Sequence, residues 1–403
     1  MDRITRVWFK NLRTLADVSL DLSGLTVLVG DNGAGKSTLL EGLALLRRCV
    51  DRELLNKLNQ VHGGIPALLR LGENRLTLGA RIDGETALEY EVTFQAQREY
   101  GAIAIEREIV RGESKNSRSI HTILERDARS VRIWPTDSST ATELPPMRPF
   151  EPALYGMGLQ PKDSPFLRVG RALNAIRVHA PLDLCGIWAA NEGGSPAPLR
   201  SSARLQPFSG LGVRGGDLQN AYQALRNEVD TRPWEETLEL IQLGLGDEVE
   251  NVVLRPDPAG GMIALQIKYR QHREPVHAAA LSDGTLAWLA FVAIHQTREP
   301  GALLVVDEPE LHLHPGLVRR TADLFESIAK SGPVLLSTHS DHLLDALQTP
   351  AESVVVCELD AERRTQLRRP NVAALEDWMR SYAGYGSIRT AGHEESVLEE
   401  RNP

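Results

Sequence analysis

Five residues near the start of the chain, Gly30, Gly33, Gly35, Lys36 and Ser37, have the types and the spacing that bind phosphate. They lie in the run GDNGAGKST, which has the form G-x4-G-K-[ST]. Glycine lets the backbone approach a phosphate closely, Lys36 would reach the β- and γ-phosphates, and the Ser37 hydroxyl suits a magnesium ion. The run therefore predicts a phosphate-binding loop whose contacts are Asn32, Gly33, Gly35, Lys36, Ser37 and Thr38.

The segments on either side of this loop have the order that such a loop requires. The apolar run Leu25 to Val29 precedes it and predicts a strand, while Leu39 to Leu43 follows it and predicts a helix. The amides of the loop and of the helix N-terminus can then face an anion.

A second apolar run, Leu303 to Val306, ends in two acids, Asp307 and Glu308. Such a run is typical of a buried parallel strand, and ligands bind at the carboxyl ends of these strands. We expect Asp307 to share the magnesium ion with Ser37, and Glu308 to orient and polarise the attacking water.

Two further groups of polar residues adjoin apolar segments, one before a predicted helix and one after a predicted strand. Ser282 and Gly284 stand before an apolar helix, where a hydroxyl and an amide form a second anion site. One chain with one phosphate loop needs that second site only if two subunits share the nucleotide. His339 follows the apolar strand Val334 to Leu336, and we expect it to contact the γ-phosphate and the catalytic water.

Length and composition set the class of protein. The chain has 403 residues, of which 42% are apolar and 25% charged, as in a soluble globular protein that is large enough for two lobes. A net charge of −9 argues against binding nucleic acid or membrane by charge alone. The three cysteines are widely spaced and the apolar runs are short, so we expect a cytoplasmic protein with no membrane partner.

The order of apolar patterns predicts an α/β architecture. Strands are expected between Ile4 and Val29, a helix from Lys36 to about Asp51, and a three-stranded meander between Arg75 and Val110 as the antiparallel flank of the nucleotide-binding sheet. The polar, proline-rich stretch 112–150 suggests an exposed excursion. No heptad run appears in the sequence, so no coiled-coil arm is expected.

These patterns predict four parts. Residues 1–111 and 251–359 would form the two parts of the nucleotide-binding lobe, and 112–250 an inserted, mainly helical lobe. Residues 360–403 would form a tail with one helix.

Together, four motifs resemble those of ABC-type ATPases: GDNGAGKST, LSDGT, LLVVDEPELHLHP and LSTHS. The form DEPELHLHP with STHS is similar to the RecF-like and overcoming-lysogenization-defect branch, often described as AAA-type ATPases. The opening I-x-x-V-x-F-K-N-L-R, the run GGDLQNAYQAL and the ending from Leu375 to Gly386 resemble the same branch. The resemblance implies a P-loop NTPase fold of ABC type, with ATP and Mg²⁺ as cofactors. It also implies a head that dimerises around two ATP molecules, where Ser282 and Gly284 meet the nucleotide held by the partner subunit's Lys36.

Two features depart from the commonest pattern of that family. The signature motif, LSDGT at residues 281–285, has Asp283 and Thr285 where transporter subunits commonly have Gly and Gln. The glutamine of the Q-loop is not fixed by pattern: Gln160 is the candidate, and Gln95 and Gln97 are rivals.

The sequence thus favours an ATP hydrolase that works as an ATP-dependent dimeric switch, with Glu308, His339 and Lys36 as catalytic residues. A role in DNA repair or anti-phage defence is expected, with possible DNA binding and a separate effector such as a nuclease, since no cluster of acids for a two-metal nuclease follows His339. An ATP-sensing scaffold with little hydrolysis is the alternative. A transporter subunit is a weaker one, because about 245 residues separate Lys36 from Ser282.

Overall fold

The computed structural model describes residues 2–52, 54–97, 102–113, 120–127, 129–134, 140–145, 147–156, 164–185, 197–257 and 261–399. The strands are β1 (Arg3–Leu12), β2 (Leu15–Asp21), β3 (Leu25–Gly30), β4 (Arg75–Asp83), β5 (Leu88–Gln97), β6 (Ala102–Glu113), β7 (Ile120–Arg126), β8 (Val131–Ile133), β9 (Thr142–Leu144), β10 (Arg177–His179), β11 (Ala203–Arg204), β12 (Val249–Pro256), β13 (Met262–Tyr269), β14 (Val276–His277), β15 (Leu304–Asp307), β16 (Val334–Ser337), β17 (Val354–Leu359) and β18 (Thr365–Arg368). The helices are α1 (Lys36–Arg48), α2 (Leu54–His62), α3 (Ile65–Leu68), α4 (Ala153–Gly156), α5 (Pro165–Asn174), α6 (Leu218–Arg226), α7 (Arg232–Leu245), α8 (Asp283–Thr297), α9 (Pro315–Ala329), α10 (Asp341–Asp345), α11 (Pro350–Ser353), α12 (Val372–Trp378) and α13 (Tyr385–Thr390).

A six-stranded mixed sheet carries the nucleotide motifs. Its order is β10-β15-β16-β3-β17-β18, and all strands are parallel except β18, which pairs antiparallel with β17. The predicted α/β fold is confirmed, and the loop at Gly30 joins strand β3 to helix α1 as expected. Because the carboxyl ends of parallel strands lie at one edge of a sheet, the ends of β3, β15 and β16 are neighbours.

Alternating residues of this sheet belong to two hydrophobic cores. On β15, Val305 packs into the core that contains α1 and the N-terminal strands, whereas Leu304 and Val306 pack into the core that contains α8 and α9. This follows from the two-residue period of a strand, which places successive side chains on opposite faces. The sheet is therefore covered on both faces, which explains why its four inner strands, β15, β16, β3 and β17, are largely apolar.

The meander between Arg75 and Glu113 lies in a second sheet. That sheet is antiparallel throughout, with the order β2-β1-β4-β5-β6-β7-β8-β9. The prediction that the meander would flank the nucleotide-binding sheet was therefore wrong. Strand β4 pairs with β1, and the meander continues from there as a sheet of its own.

Part of the stretch 112–150 extends this second sheet through β7, β8 and β9. Leu124 and Val131 are buried there, so the interpretation of the stretch as an exposed excursion was wrong for β7 and β8. The segment 112–250 also supplies β10 to the nucleotide-binding sheet and contains helices α4 to α7. The four-part division of the chain stays a prediction.

The described residues 360–399 contain two α-helices, α12 and α13, where one was expected in the last part of the chain. Helix α13 packs on α10, which directly follows His339. The Ser387 hydroxyl donates to Asp345 over 2.7 Å, and the Arg389 guanidinium pairs with Asp341 over 2.8 Å.

No helix in the described residues is long and apolar enough to cross a membrane.

Candidate functional site

The glycines of the phosphate loop are required by what surrounds them. A Cβ on Gly30 would lie 2.1 Å from the carbonyl oxygen of Cys357, and a Cβ on Gly35 would lie 2.3 Å from Oγ1 of Thr365. Gly35 also has a φ of 107°, a conformation that favours glycine. The loop thus packs closely against β17 and β18, and a side chain at Gly30 or Gly35 would not fit there.

The Lys36 side chain is folded back onto the loop. Its Nζ donates to the carbonyl oxygens of Gly30 over 2.6 Å and Asp31 over 3.1 Å, and the residue is buried. Burial lowers the pKa of Lys36, and nearby negative groups, including Asp307, oppose that shift. A buried ammonium group held by neutral carbonyls is a suitable partner for a phosphate.

The other predicted loop contacts lie where a ligand can reach them. Asn32, Gly33 and Ser37 are exposed, and Thr38 is half-buried in the first turn of α1. This matches a cradle that is open towards solvent.

Asp307 lies at the carboxyl end of β15, in register with Ser337 on β16. The Ser337 hydroxyl donates to the Asp307 carboxylate, and Ser337 is in turn in register with Leu28 on β3. The bond orients the carboxylate from one strand away. Ser337 was not predicted as a site residue, although its place at the end of an apolar strand was visible in the sequence.

Glu308 and His339 face each other across the same edge of the sheet. The Glu308 carboxylate Oε1 is 3.8 Å from His339 Nε2, and their side chains are 32% and 38% exposed. Glu308 has a φ of 47°, which is uncommon for a residue with a side chain, and its N–H donates to the carbonyl of Ser337 over 2.9 Å. Strained backbone of this kind is often found at functional sites.

Glu310 supports the segment that carries His339. Its Oε1 accepts a hydrogen bond from the Thr338 hydroxyl over 2.6 Å and another from the His339 N–H over 3.1 Å. Burial raises the pKa of the Glu310 carboxyl. Glu310 belongs to the motif DEPELHLHP, but its position alone gave no indication of this role.

The signature segment begins helix α8. Ser282 is the N-cap, and its Oγ accepts from the Thr285 N–H over 3.2 Å. Ser282 is exposed, and a Cβ on Gly284 would lie 3.1 Å from the carbonyl oxygen of His312. The signature therefore packs on the loop that follows β15, where a small residue is favoured.

Arg200, a buried residue of the inserted segment 112–250, contacts the signature motif. The Arg200 guanidinium donates to the carbonyls of Leu184 over 2.9 Å and Leu281 over 2.7 Å, and it pairs with the Asp283 carboxylate. Asp283 also lies 3.5 Å from Nδ1 of His312. Arg200 was not predicted from the sequence, because nothing in its local pattern distinguishes it from a surface arginine.

The site residues thus fall into two groups. Lys36, Asp307, Glu308 and His339 lie around the carboxyl ends of β3, β15 and β16, whereas Ser282 and Gly284 lie at the N-terminus of α8.

The position of the Q-loop glutamine stays a prediction. Gln160 lies outside the described residues. Gln95 is on β5, in register with Arg75 and Ala104, and Gln97 is the last residue of that strand.

Two family models match the sequence, one towards each end of the chain. Residues 6–133 match a model described as "AAA domain", and residues 224–345 match a model described as "AAA domain, putative AbiEii toxin, Type IV TA system". The first match contains the phosphate loop, and the second contains the signature, Asp307, Glu308 and His339. No curated protein matches the sequence.

Solved structures of Smc heads have a similar fold. The Smc head bound to the C-winged helix domain of ScpA aligns over 94% of this chain and 99% of its own, with a TM-score of 0.54 and 13% identity. The Smc head domain with an extended coiled coil, bound to the C-terminal domain of ScpA derived from Pyrococcus furiosus, aligns over the same shares with a TM-score of 0.51 and 12% identity. At these identities the likeness shows the fold alone.

Proposed function

We propose that this chain, whose family matches and fold support an ABC-like AAA ATPase, binds ATP with Mg²⁺ and hydrolyses ATP in a dimer that opens and closes. The observation that carries the proposal is the approach of Glu308 to His339, 3.8 Å apart, at the sheet edge where Lys36 and Asp307 also lie. A cation, two acids and an imidazole at one edge of a parallel sheet suit phosphoryl transfer to water.

The donor set fits both the nucleotide and the metal. The Lys36 ammonium, which is bonded only to loop carbonyls in the described structure, would bind the β- and γ-phosphates. The Ser37 hydroxyl and the Asp307 carboxylate are oxygen ligands of the kind that Mg²⁺ prefers, and Ser337 orients that carboxylate. The magnesium ion would neutralise charge on the phosphates when bound.

The residues around the γ-phosphate have separate tasks. The Glu308 carboxylate would accept a hydrogen bond from the attacking water and polarise it, and His339 would contact both that water and the γ-phosphate. Glu310 would keep His339 in place through its backbone N–H. Positioning of this kind supplies most of the catalysis in phosphoryl transfer.

A second copy of the chain would complete the site. Ser282 is exposed at the N-terminus of a 15-residue helix, and the nearby residues Leu311, His312 and His314 are exposed as well. This surface can meet the nucleotide of a partner, which supports closure of a homodimer by ATP and release after hydrolysis.

We further propose a cytoplasmic role in DNA repair or anti-phage defence, with a separate effector protein such as a nuclease and with possible DNA binding. The toxin–antitoxin description of one matching model supports defence, and the Smc heads of similar fold are bound to a second protein. The overcoming-lysogenization-defect subtype rests on the motifs DEPELHLHP and STHS.

The variant Glu308→Gln tests the hydrolysis. It keeps the shape of the side chain but removes the charge, so turnover should fall by about a hundredfold or more, and ATP should trap a dimer that light scattering detects. Glu274→Gln, in an exposed position, is the matched control. Turnover of Glu308→Gln at the wild-type rate would refute the assignment.

The variant Lys36→Ala tests nucleotide binding separately. We expect loss of affinity for a fluorescent ATP analogue, while the exposed control Lys330→Ala should bind normally. A chain that binds the analogue through Lys36 but never turns over ATP would support the ATP-sensing scaffold instead.

A further inference from the structure

A cavity of about 210 Å³ lies at the edge of the nucleotide-binding sheet where β10 and β15 begin. Phosphate loops lie at the carboxyl ends of their strands, so this cavity is separate from the ATP site. Its walls include Arg177, His179, Phe208, Leu211, Arg298 and Leu304.

The cavity is cationic on one side. The Arg298 Nη2 donates to the Ser331 hydroxyl, but its Nη1 is buried with no hydrogen-bond partner among the residues that the structure describes. Arg177 lies 3.8 Å from the carboxylate of Glu299, which also lines the cavity and has a side chain that is 71% exposed. The Arg177 Nη1 donates to the carbonyl oxygens of Asn174 and Ile176. A buried N–H of a guanidinium group without a partner is costly, and Arg298, which lines the cavity, would lower that cost by turning this N–H towards an anion bound there.

Further positive charge close to the cavity favours the binding of an anion there. Burial and then the charge of Arg177 lower the pKa of Arg47 on α1. Burial, with Arg177 and Arg47 acting in the same direction, lowers the pKa of His179 to about 4, so the ring in the cavity wall is neutral near pH 7. His179 is therefore a hydrogen-bonding group there and adds no charge.

The other side of the cavity is apolar. Phe208 and Leu211 come from the inserted segment, and Leu304 comes from β15. Sites for drug-sized ligands usually measure about 300–1,000 Å³, so this one suits a small molecule with an apolar body and an anionic group. Two guanidinium groups on different elements can bind different oxygens of one phosphate, which favours a phosphate over a carboxylate.

The cavity also lies at the far end of the signature helix. Thr297 is the last residue of α8, Arg298 follows it, and Ser282 caps the opposite end, roughly 22 Å away at 1.5 Å per residue. Residues 197–216 of the inserted segment contact both ends of α8. Arg200 pairs with Asp283 at one end, and Phe208 and Leu211 line the cavity at the other. A ligand held between this segment and Arg298 would bias the position of the signature.

We propose that this cavity is an effector site for a small phosphomonoester, bound by Arg177 and Arg298 and coupled through α8 and Arg200 to the signature. Binding itself does not depend on the function proposed above, whereas the effect on turnover does.

Binding is tested with phenyl phosphate and inorganic phosphate as probes, by calorimetry on the full chain carrying Lys36→Ala, so that the phosphate loop contributes little. We expect one saturable site for phenyl phosphate, weakened at least about tenfold by Arg298→Gln. The exposed control Arg255→Gln should bind as the parent does. Inorganic phosphate, which lacks the apolar body, should bind more weakly.

No saturable binding of phenyl phosphate, or equal affinity in the Arg298→Gln chain, would overturn the site. Equal affinity for the two probes would overturn its assignment to a phosphomonoester. Arg177→Gln gives a second, independent variant: unchanged affinity in that chain would remove Arg177 from the site and with it the two-arginine geometry.

Coupling is tested on the chain with Lys36 intact. Phenyl phosphate should change ATP turnover by about fivefold in the wild type and leave it unchanged in Arg298→Gln. Binding without any effect on turnover would overturn the effector role. A chain with no ATP turnover at all would defeat the proposed ATPase, and the calorimetry would then decide the site alone.

Discussion

The guanidinium of Arg200, which is 6% exposed, pairs with the carboxylate of Asp283 in the signature. The two residues are 83 positions apart, and the contact links the inserted segment to the helix that would meet the nucleotide of a partner. Arg200 also donates to the Leu281 carbonyl, one residue before the cap Ser282. The inserted segment therefore acts on the position of the signature.

Replacing Arg200 by Gln should separate turnover from nucleotide binding. The change removes the partner of Asp283 and leaves buried carbonyls without a donor, so we expect a loss of roughly 3 kcal/mol in the free energy of unfolding. Turnover should fall at least about tenfold, while affinity for an ATP analogue should change little, because the phosphate loop is untouched. Arg200→Lys keeps the positive charge but lacks the planar guanidinium group with its paired donors. Its turnover should therefore lie between those of the wild type and Arg200→Gln. The exposed Arg204→Gln is the control, and equal losses of turnover and affinity would argue against a positioning role.

Replacing Glu310 by Ala should disturb the backbone that positions His339, while the His339 side chain itself is unchanged. The Glu310 Oε1 is the acceptor for the Thr338 hydroxyl and the His339 N–H, and both would lose their partner. Hydrogen bonds to charged groups are worth about 1.5–3 kcal/mol, so turnover should fall by about tenfold or more. Glu310→Gln retains an acceptor oxygen and should restore most of the rate. The exposed Glu236→Ala serves as control. A rate for Glu310→Ala equal to that of the wild type would show that His339 does not need this support.

Replacing glycines in the phosphate loop should affect stability unequally. Gly33→Ala meets no atom of the described residues within 4 Å, so its effect is the strain of a left-handed backbone, about 1–2 kcal/mol. Gly35→Ala has that strain and also drives its Cβ into Oγ1 of Thr365, so it should lower the free energy of unfolding by more. Urea unfolding of the two single variants measures the difference. In a double-mutant cycle, Thr365→Ala should recover part of the loss in Gly35→Ala and none in Gly33→Ala. Recovery in both variants would rule out the proposed contact.

His179 should make the protein less stable as the pH falls. Its pKa in the folded chain is about 4, against an ordinary value of 6.5, because burial disfavours the charged ring. The unfolded chain therefore takes up a proton first, so stability that is fully present above about pH 6.5 is lost as the pH falls towards 4. The loss due to this residue should be about 2 kcal/mol at pH 5 and roughly 3 kcal/mol in all.

The variant His179→Asn measures that contribution, since an amide nitrogen can replace Nδ1, which lies 3.3 Å from the Gly212 carbonyl. Its urea midpoint should fall less between pH 7 and pH 5 than that of the wild type. The exposed control His314→Asn should follow the wild type. Parallel curves for wild type and His179→Asn would exclude a buried neutral ring.

The sequence by itself determined the local parts of the site. The phosphate loop, the acids after β15 and the histidine after β16 each lie within one strand and the residues that follow it. Strand period, glycine spacing and chain polarity are properties of short segments, so Asp307 and Glu308 could be placed at a strand end, and Lys36 at the start of the helix after the loop, before the fold was known.

Only the tertiary structure decided which distant segments meet. The alternation of apolar and polar residues identified the meander strands but not the sheet that they join. Hydrogen-bond pairing depends on two strands together and cannot be read from the sequence of one strand alone. In the same way, Arg200 and Glu310 resemble surface residues in sequence. Their roles arise because folding removes them from water and leaves the signature and the His339 segment as their hydrogen-bonding partners.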